Sequence, residues 1–299
     1  MIGYLFLCGA LLCGVTKGYC GKKSSGTIRV TSDALLVNTL RMLLCALIGI
    51  VMLTIQGGWS IPHGDTIWIS ALSGSFTAAF TVCWLLAVKQ SAYMLVDVFL
   101  LSGTILPIAL SCIFFEERVR PLQIIGMLLL VFAAYLMSTD GKRPQEKIRI
   151  RDLFLPILAA IFNGMVDFSQ KLFVAKTGGG ANTQFTLLTY VFALVLLGAV
   201  WLILRQRDKQ RGRLTSPKEI LAPIALYVLI MAVCLFLYSY LKTAAAAHLP
   251  SATLYPLSQG GTLVLSTLMS ALLLKEKLGL RAILGSILAF GALLLTNLF

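Results

Sequence analysis

Charge is what this sequence has least of. Only 12% of its 299 residues are Asp, Glu, Lys or Arg, about half the share of an ordinary soluble domain, while 58% are hydrophobic. So few polar side chains cannot cover a water-soluble globule of this size. Acid is scarcer still: 12 Asp and Glu stand against 25 Lys and Arg, a formal net charge of +13. Histidine occurs twice and never as HExxH, and GxSxG is missing too, so the usual signatures of a metalloprotease or serine hydrolase are lacking. The seven cysteines (8, 13, 20, 45, 83, 112 and 234) lie in apolar stretches without CxxC spacing or a neighbouring histidine. They read as small buried apolar side chains, not as metal ligands or disulfides. Gly21-Lys22-Lys23-Ser24 has the flavour of a phosphate-binding loop but fails its pattern, because Thr16 stands where a glycine is needed.

What the chain does have is long apolar runs. They fall at about 2–20, 31–55, 65–88, 91–115, 120–138, 152–174, 183–204, 220–241, 251–273 and 280–298. Each is long enough to cross roughly 30 Å of hydrocarbon as a helix. A transmembrane β-barrel needs short alternating segments instead, which are not seen. The first run lacks a basic leader and a cleavage site, so it reads as a retained helix. The composition and pattern predict an all-α integral membrane protein with ten transmembrane helices. With basic loops beside spanning helices, the positive charge reads as membrane topology and not as nucleic-acid binding.

The chain also repeats itself. Residues 114–137, FFEERVRPLQIIGMLLLVFAAYLM, are echoed by 273–295, LLKEKLGLRAILGSILAFGALLL. Glu117 and Glu276 each precede a glycine by nine residues, Gly126 and Gly285. Upstream, SGTILPIALS at 102–111 answers GGTLVLSTLMS at 260–270, and Lys89 and Lys242 close corresponding segments. The polar stretch DGKRPQEKIRIR, 140–151, then links two five-helix repeats, 1–139 and 152–299. Because five is odd, the second repeat enters the membrane from the other side. The repeats are therefore expected to be inverted, about a pseudo-twofold axis in the membrane plane.

Two aspartates, Asp97 and Asp167, fall well inside apolar segments, where a carboxylate costs roughly 2.5–3.5 kcal/mol on insertion scales. Such groups face a water-filled cavity or a partner. Lys17 aligns with Asp167 when Gly14 is laid on Gly164, and three roles stay open for it: ion-pair partner of an aspartate, cavity residue, or snorkelling cation. Polar and aromatic neighbours complete a candidate binding set: Trp84 in segment 3, Tyr93 in segment 4, Asn163 and Gln170 in segment 6, Tyr238 in segment 8, and Tyr255, Ser258 and Gln259 in segment 9. Pro107 and Pro256 mark expected bends in the corresponding segments 4 and 9. Glu116, Glu117 and Glu276 sit at helix ends, where capping or pairing with Arg118, Lys275 or Lys277 is expected. Arg41 is expected to anchor segment 2. The serine and threonine stripes, such as Ser70, Ser73, Thr77 and Thr81, bond either their own backbone or a neighbouring helix.

Two fives of helices, the acidic turns FFEER and LLKEK, the glycine-marked last helices, Arg41 and the YPLSQGG run together resemble the EamA branch of the drug/metabolite transporter superfamily. The resemblance covers essentially the whole chain. It implies a secondary active transporter, an exporter or exchanger of a small polar or amphipathic metabolite. Its central cavity would be lined by segments 1, 3, 4, 6, 8 and 9. No cofactor or metal is implied. The implied partners are the small-molecule substrate, the lipid bilayer and a proton or counter-substrate, with the chain as a monomer or homodimer in a bacterial cell membrane. An integral membrane enzyme, or a channel or sensor on the same fold, is the competing reading. Eighteen of the 25 Lys and Arg fall in the connections after odd-numbered segments and five after even-numbered ones. The positive-inside rule then places the odd connections in the cytoplasm and both termini outside; the family resemblance implies the reverse.

Overall fold

A computed structural model describes residues 1–24, 31–90, 99–138, 150–210, 220–273 and 279–298. Among them are ten α-helices: α1 (Ile2–Ser24), α2 (Thr31–Ile55), α3 (Gly64–Gln90), α4 (Ile105–Phe115), α5 (Pro121–Ser138), α6 (Ile150–Thr177), α7 (Asn182–Gln210), α8 (Ala225–Ala246), α9 (Ser251–Leu273) and α10 (Leu280–Leu298). Each falls on one of the ten apolar runs. Six helical stretches among the described residues are long and apolar enough to cross a membrane.

Two boundaries differ from the sequence reading, each for a local reason. Segment 8 was expected to end at 241, but α8 runs to Ala246, because the alanines after Lys242 are the strongest helix formers. Lys242 is thus inside the helix and not in a loop. In segment 4 the chain is helical at Phe99, turns at Gly103 and Thr104, and resumes as α4. Pro107 has no N–H to give the Gly103 carbonyl, which instead accepts from Leu106 N at 3.2 Å. The helix is interrupted just before Pro107, whereas α9 continues unbroken through Pro256.

The polarity of the molecule is inside out. Leu12, Ile55, Phe132, Leu202 and Ile287 are exposed, whereas Asp167, Lys242, Ser70, Thr186 and Ser258 are buried. In water that arrangement would forfeit the hydrophobic effect. Against lipid tails it is the expected one, because apolar surface faces the solvent it resembles and polar groups turn to one another.

Among the described residues, the main cross-contacts between the halves have twins. Helix α1 packs along α8 as α6 packs along α3, and α1 meets α9 as α6 meets α4. The equivalent helices α5 and α10 pack on each other. A Cβ added to Gly126 would stand 2.7 Å from Thr296 Cγ2 and 3.0 Å from the Ala292 carbonyl. One added to Gly285 would stand 2.5 Å from Met137 Cγ and 2.9 Å from the Ala133 carbonyl. The start of each helix therefore meets the end of the other, so they run antiparallel. Helices α2 and α7 do the same, with Gly49 against Leu187 and Gly198 towards Thr39. An operation that exchanges the halves must reverse the helix direction.

Candidate functional site

The site is built on one face of α6. Asn163, Asp167 and Gln170 are spaced three, four and seven residues apart, which stacks their side chains on successive turns, and Lys171 lies one turn beyond Asp167. Asp167 Oδ1 accepts a hydrogen bond from Lys242 Nζ of α8 at 2.7 Å, inside the protein. Tyr255 of α9, fully buried, donates its hydroxyl to the Asp167 carbonyl at 2.7 Å. Gln170 Nε2 donates to Ser239 Oγ of α8 at 3.2 Å. Two helices, α8 and α9, are thus tied to Asp167 and Gln170 of α6 through polar groups that no lipid-facing surface would tolerate.

Aromatic rings surround the buried ammonium. Lys242 Nζ lies 5.4 Å from the ring centres of both Tyr238 and Tyr255. Lys17 Nζ of α1 lies 4.6 Å from the same Tyr238 ring. A tyrosine face is attractive to both cations, so one ring serves two ammonium groups, of which Lys242 also has a carboxylate. Lys17, one of three roles left open, therefore does not pair with Asp167; that partner is Lys242. The expected end of segment 8 at 241 leaves Lys242 outside the membrane-spanning run, whereas the helix carries it inside. The available signal was a lone lysine in an otherwise apolar stretch of α8, which implies a buried acid.

Several buried polar atoms on α2, α3, α6 and α7 have no partner in the protein. They are Asp167 Oδ2, Gln170 Oε1, Asn163 Nδ2, Ser73 Oγ of α3 and Arg41 Nε of α2, with the hydroxyls of Thr39 and Thr189. Buried polar groups are almost always bonded, and a cluster of exceptions on facing helices is what a polar ligand or water path leaves when the protein alone is considered. The hydroxyl stripes are different. Thr77 bonds the Ser73 carbonyl, Thr81 that of Thr77, Ser258 that of Tyr255 and Thr262 that of Ser258, each satisfied by its own helix. Trp84 and Gln259 are partly buried on α3 and α9. Tyr93 and Asp97 lie outside the described residues, as does Glu276.

A second polar cluster closes one end of the bundle. Glu117 Oε1 pairs with Lys171 Nζ at 2.7 Å, and its Oε2 accepts from the Ser251 backbone N–H at 2.8 Å. Lys171 also donates to the carbonyls of Ala246 and Leu249, at 3.2 and 3.1 Å. Ser251 Oγ donates to Ser111 Oγ at 2.9 Å. The expectation that Glu117 would serve its own turn or pair with Arg118 is corrected: it caps the positive start of α9. Glu116 beside it takes a left-handed conformation, φ 55°, and terminates α4. This end is also where α1 begins, since Gly3 touches His248 and Leu249. A surface cleft of about 430 Å³ bordered by Met1, Tyr4 and His248 lies here, and none of the Asp167 cluster lines it.

The model of the EamA-like transporter family matches twice, at residues 1–139 and 151–298. The chain belongs to the EamA-like transporter family. The two matches coincide with the two halves whose contacts are twinned above. A solved crystal structure of another protein is similar in fold to this EamA-like chain, with a TM-score of 0.73 over 99% of this chain and 97% of that one, at 16% identity. A search of curated proteins returned no match.

Proposed function

We propose that this EamA-like protein is a secondary active transporter, not an enzyme, that exchanges or exports a small polar metabolite around the Asp167 cluster. The observation that carries the reading is the set of orphaned buried polar atoms on α2, α3 and α6 beside the Lys242–Asp167 pair, enclosed between halves that match the family model separately. In this reading the ten helices are all transmembrane and form two inverted five-helix repeats. The antiparallel pairing of α5 with α10 and of α2 with α7 supports it.

Inverted halves supply a mechanism, because each can adopt the conformation of the other and expose the site to the opposite face. The Glu117–Lys171–Ser251 cluster fastens the end of α4 to the start of α9, closing one face. Glu276, which repeats Glu117 in the sequence, is the counterpart expected to fasten the other face in the alternate state. The bend before Pro107 and the proline inside α9, Pro256, are the hinges on which these helices swing. Basic loops face the cytoplasm of a bacterial cell, and a proton or counter-substrate drives the cycle.

Counterflow tests this directly. Purified protein in liposomes loaded with unlabelled metabolite should accumulate labelled metabolite transiently, with exchange faster than net flux. Flux without such acceleration would mark a channel, and chemical conversion of the label an enzyme.

A further inference from the structure

Cations are in excess around the site. Lys17 is within electrostatic reach of Arg41, Lys242 and Asp167. Lys242 and Asp167 neutralise each other at 2.7 Å. Lys17 then has a tyrosine ring and no carboxylate among the described residues, and Arg41 holds a buried Nε with no acceptor. Among the described residues within that reach, three cations (Lys17, Arg41 and Lys242) face one carboxylate, Asp167. A lasting excess of charge inside a membrane protein is costly. A tyrosine face returns only about 0.5–2 kcal/mol of that.

We propose that the missing anion is the cargo: the transported molecule is an organic carboxylate, and Lys17 is the residue that anchors its carboxylate. This rests on the transporter reading above and deepens it. Orphaned donors and acceptors occur both on the α6 face that carries Asp167 and at Arg41, within electrostatic reach of Lys17. Arg41 Nε and Asn163 Nδ2 lack an acceptor, which carboxylate oxygens supply. Asp167 Oδ2 and Gln170 Oε1 lack a donor, which a hydroxyl on the same molecule supplies. The Tyr238 ring beside Lys17 offers an apolar face to the remaining carbon skeleton. An amine would meet Lys17 and Arg41 as like charges. A zwitterion would leave the excess where it was.

The test compares Lys17 with Lys242 on purified full-length protein by thermal shift. Lactate, succinate and phenylacetate are used as probes, with the matched amides, amines and α-amino acids. Wild type should be stabilised by at least one carboxylate and not by its amide or amine. Lys17→Met should weaken that carboxylate about ten- to hundredfold, the loss of one charge-assisted hydrogen bond, and Lys17→Arg should retain most of it. Without any ligand, Lys17→Met should melt at or above the wild-type temperature, whereas Lys242→Met should melt below it. Stabilisation by amines or amino acids but by no carboxylate overturns the proposal, as does stabilisation by phosphatidylglycerol alone or by none of the probes. A loss of ligand-free stability in Lys17→Met like that in Lys242→Met also overturns it, because Lys17 would then have a structural partner. Counterflow separates the two readings. Exchange of amino acids or amines leaves the transporter standing without the carboxylate, and carboxylate binding without exchange does the reverse.

Discussion

Lys242 Nζ stands 2.7 Å from Asp167 Oδ1, and the two side chains are 2% and 3% exposed. Both charges are buried, so each is tolerable only because the other is there. Removing one partner of such a pair costs about 3–5 kcal/mol, while replacing both with neutral groups of similar volume is often close to harmless. Asp167→Asn and Lys242→Met should therefore each lower the melting temperature in detergent clearly, and the double variant should recover most of the loss. Lys17→Met combined with Asp167→Asn should recover none. Additive losses in the Lys242–Asp167 double variant would mean that the pair is not a unit.

Glu117 does two jobs at once, and its variants separate them. Gln keeps an oxygen for the Ser251 N–H and gives up the ion pair with Lys171; Ala gives up both. A lost cap is worth about 1 kcal/mol and a partly exposed ion pair about 0–1 kcal/mol. The order of stability should be wild type, Glu117→Gln, Glu117→Ala. If the cluster fastens this face shut, a cysteine placed at Ser111, buried under the cluster, should react several-fold faster with a membrane-impermeant maleimide in the Glu117→Ala background. An unchanged labelling rate would show that the cluster is not what holds the face closed.

The sequence carried the frame of this molecule but only half of its centre. The ten helices were legible because spanning a bilayer demands uninterrupted apolar runs. The repeat was legible because Gly126 and Gly285 occupy equivalent places, and the structure shows what each does there: it lets α5 and α10 approach to backbone contact. Asp167 was legible because a carboxylate in hydrocarbon calls for a reason. Its partner was not. An ion pair between residues 75 positions apart is fixed by which helices pack together, and no helical periodicity encodes that. The same holds for Glu117, whose reach to Ser251 crosses from one half to the other.

The glycine contact makes its own prediction. A side chain at Gly126 or Gly285 has to displace the backbone of the facing helix, because the nearest atoms include the carbonyls of Ala292 and Ala133. Gly126→Val or Gly285→Val should destabilise by about 1–3 kcal/mol, as overpacking commonly does. Gly291 on the same helix as Gly285 has no heavy atom within 4 Å of an added Cβ. Gly291→Ala should be neutral or stabilising by up to about 1 kcal/mol, the helix-propensity gain. Equal losses at Gly285 and Gly291 would show that glycine matters here for some reason other than close approach.

Orientation is decided by which cations are free to be counted. In the segment reading, five Lys and Arg belonged to the connections after even-numbered helices. Lys171 and Lys242 now drop out of that five, because one is held by Glu117 and two carbonyls and the other by Asp167. Arg118, Arg120 and Lys176 remain, against seventeen near the odd-numbered connections once Arg281, which also has a partner, is left out. The positive-inside rule acts on charges that must stay in water during insertion, so the wider asymmetry strengthens the expectation that both termini face outward, with the Glu117 cluster on that outer face. A C-terminal alkaline phosphatase fusion, which is active only outside the cytoplasm, should be active in cells. A cysteine at Gly57 or Gly179, both in turns on the same side as the termini, should react with an impermeant maleimide added to intact cells. A silent phosphatase together with a fluorescent C-terminal green fluorescent protein would reverse the orientation and put the Glu117 cluster at the cytoplasmic face.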